Sequence, residues 1–139
     1  MAKRAPAYGL SVEVVLPYDQ AVENTRAELA REGFGVLTEI DVRATLKKKL
    51  DVEFRPYVIL GACNPPLAHR ALLAEREIGL LLPCNVIVYA TDTPGRTAVA
   101  ALDPVEQLGL TGNAGLRPLA LEVRASMERV LDRVAHVPA

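Results

Sequence analysis

Tryptophan is absent from this chain of 139 residues, and phenylalanine occurs only at Phe34 and Phe54. A core built from it must be aliphatic, carried by Val, Leu, Ile and Ala. Cysteine is equally scarce. Cys63 and Cys84 are the only two, too few for the disulfide framework of a small secreted domain. Apolar runs such as Ile78–Leu82 fall far short of the roughly 20 residues that cross a bilayer. Met1–Pro6 is short, polar and basic, with no apolar stretch after it, so no targeting segment is expected and the expected compartment is the cytoplasm. An excess of either charge is missing too. Sixteen Lys and Arg stand against 17 Asp and Glu, a net charge of -1, which argues against the basic face that nucleic-acid binding requires. Neither nucleic acid nor membrane is an expected partner.

Reaction signatures are also lacking. There is no G-x-S-x-G, no H-E-x-x-H and no evident Ser-His-Asp order. Gly109–Gly115 precedes a helical pattern, but its glycines do not follow G-x-G-x-x-G and no Lys-Ser or Lys-Thr comes after them, so it reads as a flexible connection and not a phosphate loop. The single basic run, Lys47–Lys49, reads as a solvated face, with a phosphate contact as the functional alternative. No motif names a cofactor.

What is present suffices for one domain over residues 1–139, with Met1–Ala7 as a flexible N-terminus. Apolar residues make up 50% and charged residues 24%, which excludes disordered and fibrous classes. A domain of this size buries about 68% of the surface its unfolded chain exposes, enough for a core without metal or disulfide staples.

Hydrophobic periodicity predicts the elements. Leu10, Val12 and Val14 alternate within a strand over Tyr8–Leu16. Pro17 stops it, and Asp19 is suited to cap a helix carrying Ala21, Val22, Thr25 and Leu29. Gly33 suits a left-handed helix end. Phe34–Ile40 reads as a strand with Val36 and Ile40 on one side. Asp41 precedes a short helix, Val42–Leu50, whose late lysines suit the helix dipole. Phe54–Ala62 is a strong strand, and Tyr57–Leu60 within it reads as buried on both faces. Asn64 caps the next helix, with Pro65 at its first position. Ile78–Leu82 and Val86–Ala90 read as two strands joined by the loop Pro83–Asn85, an antiparallel hairpin. Thr93-Pro94-Gly95 turns the chain into a further strand, Thr97–Leu102. A helical turn opens at Asp103-Pro104, and a long helix follows over Leu116–Val134. The class is α+β: an antiparallel sheet backed by helices, including a long C-terminal one, and not the βαβ succession of a doubly wound fold.

Chemistry has one place to sit. Cys63 ends a strand just before a helix N-terminus, where amide groups and the helix dipole stabilise an anion. The competing reading makes it a small apolar residue at a strand end. Cys84 falls in the hairpin loop, more exposed and less needed for packing. If their strands are neighbours, the two thiols approach at one sheet edge as a redox pair, as soft-metal ligands, or without relation. A disulfide would need Cα atoms within about 7 Å. His69, early in the helix after Cys63, could join them, although a closed zinc site takes four ligands. Asp41, Glu77 and Asp92 are possible completions without diagnostic spacing. Read blandly, His69 is an exposed helix residue.

These segments resemble a known family. Gly33-Phe34 with Thr38–Val42, then Tyr57–Pro65 around Cys63-Asn64-Pro65, then Ala68 and Ile78–Val86 around Pro83-Cys84-Asn85, are similar to the motifs of the domain of unknown function 302 family, over about Tyr8 to Val134. The resemblance implies a curved antiparallel sheet backed by helices, a shape related to the TATA-binding-protein-like folds. It implies no established activity. It directs attention to Asp41, Cys63, Asn64, Pro65, Pro83 and Cys84. Combined with the residue chemistry, the ligand-contact set is Asp41, Cys63, Asn64, His69, Cys84 and Asn85, with Cys63 and Cys84 as the catalytic or metal-ligating candidates. The leading expectation is a module that binds a small molecule or soft metal. A thiol redox or sulfur-handling enzyme with Cys63 as nucleophile is the second, and a homodimeric structural protein the third.

Overall fold

Five strands form one open antiparallel sheet in a computed structural model that describes residues 6–136. The strands are β1 (Gly9–Val14), β2 (Gly35–Asp41), β3 (Tyr57–Cys63), β4 (Cys84–Ala90) and β5 (Thr97–Leu102), in the spatial order β1-β5-β4-β3-β2. Every neighbouring pair is antiparallel. The chain therefore meanders from β2 to β5, and β1 closes the far edge. Helix α1 (Tyr18–Arg31) carries the chain from that edge to β2, crossing one face of the sheet. Most of the N-terminal segment expected to be flexible, residues 1–5, lies outside the described residues.

Alternation along the strands selects the covered face. Leu10, Val12 and Val14 of β1, Val58 and Leu60 of β3, Val86 and Val88 of β4 and Val99 of β5 all join one core with α1 and the last helix, α5 (Arg117–Ala135). Met127, Val130, Leu131 and Val134 of α5 are fully buried there, so the periodic stripe in the sequence is the packed stripe. Glu32, just past α1, accepts hydrogen bonds from Arg129 at 2.9 Å and Arg133 at 2.7 Å, which ties the two helices together. Gly33 takes φ 84°, the left-handed conformation expected of it.

Three helices sit at the margins. Helix α2 (Val42–Leu50) is capped by Asp41, whose Oδ1 accepts from Ala44 N at 2.9 Å. Helix α3 (Pro65–Ala74) is capped by Asn64, and α4 (Pro104–Gly109) by Asp103. Asp103 is fully buried and faces Arg124 of α5 at 3.7 Å.

Four local expectations are corrected. Ile78–Leu82 is no strand: Arg76–Leu81 coils as a 3-10 helix. Its apolar run fills a gap beside α3, with Ile78 buried and Leu80 84% exposed, a helical and not an alternating distribution. The hairpin over Pro83–Asn85 therefore does not exist, and Cys84 is the first residue of β4. Asp19 does not cap α1; Pro17 occupies that position and Asp19 lies in the first turn. Val36 and Ile40 do not share a side. A bulge between Val36 and Thr38 pairs Val36 with Ala62 and Ile40 with Ile59, on opposite faces, because the extra residue shifts the alternation by one.

Candidate functional site

The ends of β3 and β4 meet where α3, α4 and α5 converge. Ala62 pairs directly with Cys84, so Cys63 and Cys84 stand diagonally across two neighbouring strands. A cavity of about 320 Å³ opens beside them, and both cysteines line it. Its walls are otherwise almost wholly apolar. Phe34 follows α1, Leu67 and Ala71 come from α3, Leu108 from α4, and Leu119 and Val123 from α5. The local sequence explains the placement. Asn64 accepts from Leu67 N at 3.4 Å and starts α3 immediately after β3. Pro65 and Pro66 occupy its first turn, where no amide is lost from the helix. The strand thus ends at Cys63, with its thiol beside a helix start.

The two sulfurs differ. Cys84 is in a strand and mostly covered, not exposed in a loop. Burial pushes its thiol up to about 11, and the nearby Cys63 adds to the effect. The Cys84 thiol donates to Gln107 Oε1 at 3.5 Å. Gln107, itself buried, is held in that orientation because its Nε2 donates to the Leu81 carbonyl. Cys84 is therefore kept as a neutral thiol at physiological pH.

The remaining expected contacts divide. Asn64 lines the cavity. His69 is exposed on α3 and outside the lining. Asp41 lines a separate acidic depression with Tyr18, Asp19 and Glu39. Together with burial, those carboxylates raise the Tyr18 phenol. Asn85 is exposed and, one residue after Cys84, points to the other face of the sheet. Among the described residues no three His, Cys, Asp or Glu side chains gather in a way that could hold a metal ion. Sequence reasoning missed Gln107 and the walls supplied by α5. Nothing local marks a Gln in a six-residue helix as the partner of a cysteine 23 positions earlier; only the tertiary fold brings them together.

The family model described as "Domain of unknown function DUF302" matches residues 10–134. Among solved structures, the chain is similar to an uncharacterized conserved protein DUF302 from Bacillus stearothermophilus, at 30% identity and a TM-score of 0.84, covering 91% of this chain and 98% of that one. No curated protein matches it.

Proposed function

Since the chain belongs to the DUF302 family, whose description assigns no activity, we propose from the cavity itself that this is a binding module for a compact apolar small molecule. The observation that carries the proposal is that Cys63 and Cys84 both line one cavity whose other walls are almost wholly hydrocarbon. Its volume of about 320 Å³ lies at the small end of ligand pockets, which run to about 1,000 Å³. Burial of the ligand would supply affinity, and the thiols, Thr38 and Asn64 would supply the few polar or polarisable contacts that orient it.

A neutral fluorescent probe, 1-N-phenylnaphthylamine, tests this. Saturable binding is expected, and Ala68→Trp, which places an indole on the cavity wall, should abolish it. Binding that does not saturate, or that survives the filled cavity in a folded variant, refutes the proposal. Native mass spectrometry of the purified protein gives an independent readout of any retained molecule.

The thiol redox reading draws support from the neighbouring positions of the cysteines, with Cys63 as nucleophile and Cys84 as resolving partner. The raised Cys84 thiol weighs against it, since exchange proceeds through thiolates. The soft-metal reading has only the two thiols to offer, since among the described residues no group of three His, Cys, Asp or Glu side chains could hold a metal ion, whereas a closed zinc site takes four ligands. Alkylation of each thiol across pH separates these readings from simple apolar binding. An acidic Cys63 would favour redox chemistry.

A further inference from the structure

The face of the sheet turned away from α1 and α5 is apolar across its middle, with Ser11 and Glu13 of β1 at one edge and Thr38 and Asn85 in the row through Gly61. Strand pairing places Ile40, Ile59, Ile87 and Ala100 in one row across β2, β3, β4 and β5. A second row holds Tyr57 opposite Tyr89, their rings stacked with centroids 5.3 Å apart. Phe54 packs against Tyr57 at 6.2 Å. In a chain with only six aromatic residues, Phe54, Tyr57 and Tyr89 thus gather on or beside this face. Ile40 is 48% exposed and Phe54 41%; Ile59, Ile87, Tyr57 and Tyr89 are half-buried. Helix α2 touches β2 and β3 at that margin but buries none of its own residues.

We infer that this open face is the interface for a second copy of the chain, the two sheets stacking across a two-fold axis near Ile87. Three features select that occupant. The surface is a broad sheet face, indented where Tyr8, Tyr57, Asn85 and Ile87 line a depression, and what covers a layer of this breadth is another sheet, packed about 10 Å away. Its size suffices. Five strands at about 4.8 Å spacing and six or seven residues long, at about 3.4 Å each, give roughly 500 Å² per copy. A pair would bury about 1,000 Å², the lower bound for a specific interface. Its composition is that of an interface core inside a polar rim. On the paired strand positions of this face Glu13 is the single charged residue, held 3.7 Å from Arg96. Arg55 and Asp92 make a 2.8 Å pair at the Tyr57–Tyr89 end. Two copies of net charge -1 repel one another only weakly. Stacking also gives Tyr57–Leu60 the burial on both faces that its sequence predicts and that one copy alone does not supply.

Size-exclusion chromatography with light scattering, at high micromolar concentration, reads the answer. A dimer is expected for the unaltered chain. Ile87→Glu should yield a monomer with an unchanged far-UV circular dichroism spectrum. A monomeric unaltered chain overturns the inference, and that is also the result if a small molecule or another protein covers the face. A folded Ile87→Glu that stays dimeric overturns it as well. Should Ile87→Glu not fold, Ile87→Ala decides. It should raise the dimer dissociation constant about tenfold, and an unchanged constant places the interface elsewhere.

Discussion

The two faces of this sheet are written by alternate residues of the same five strands, yet they have opposite fates. Val58, Leu60, Val86 and Val88 are sealed beneath α1 and α5, while Ile59 and Ile87, their immediate neighbours, lie half-buried on the other side. Both sets are β-branched or aliphatic. Residue type therefore does not decide which is core; the helices do. An apolar strand run thus specifies burial on two sides, and within one copy only one side is supplied.

Truncating adjacent residues separates the two layers. Leu60→Ala opens a cavity in the sealed layer and should lower unfolding free energy by about 2–5 kcal/mol in urea titration. Ile59→Ala, measured at concentrations low enough to keep the protein monomeric, should cost less than about 1 kcal/mol, as for a partly exposed site. Equal losses would mean that the second face is already covered within one copy.

Gly61→Ala probes the junction of the open face with the cysteine cavity. A Cβ there would overlap Thr38 Oγ1 and lie 2.9 Å from Pro83 Cγ. Overpacking of this kind should destabilise by about 1–3 kcal/mol, read by thermal or urea denaturation. No loss would show that Thr38 and Pro83 move aside freely.

Glu32 tests the sealed side electrostatically. Its hydrogen bonds with Arg129, aided by those with Arg133, hold its carboxyl below the usual range despite its partial burial. A depressed folded value gives stability that is complete above the unfolded value of about 4.3 and is lost as pH falls through the lower folded one. Glu32→Gln should remove about 1 kcal/mol at neutral pH and flatten the acid limb of the stability profile below about pH 4.

The smallest effect concerns Cys84. Its thiol ionises at about 11 when folded, against 9.0 in an unperturbed setting. Stability from keeping it neutral is full below pH 9.0 and declines as pH rises toward about 11. Iodoacetamide should modify Cys84 slowly at neutral pH and faster above pH 9. Rapid modification at pH 7 would show that the thiol is exposed and acidic.

Much of this was legible along the chain. Asp41, Asn64 and Asp103 announce three helices because a short polar side chain before a helical pattern satisfies free amides locally. Gly33 and Gly95 mark turns because their positive φ suits no Cβ. What misled was a short apolar run. Ile78–Leu82 has no period that separates strand from 3-10 helix, so Cys84 was displaced from a strand start into a loop. The bulge after Val36 left no mark in the hydrophobic pattern. At the site, Cys63 was visible as a strand-end residue and Asn64 as a helix cap, whereas Cys84 was read into a loop, and His69, Asp41 and Asn85 fall outside the cavity because facing direction depends on a helix or strand phase fixed elsewhere.

Family, α+β class and an antiparallel sheet backed by helices are legible in the residues alone, since alternation, caps and turn residues are local and survive without knowledge of neighbours. That Cys63 and Cys84 share a cavity, that Gln107 meets Cys84, and that one apolar sheet face is left open are consequences of the assembled fold. Those outcomes depend on where α4 and α5 return from far along the chain, and burial is a property of what arrives, not of the residue that is covered.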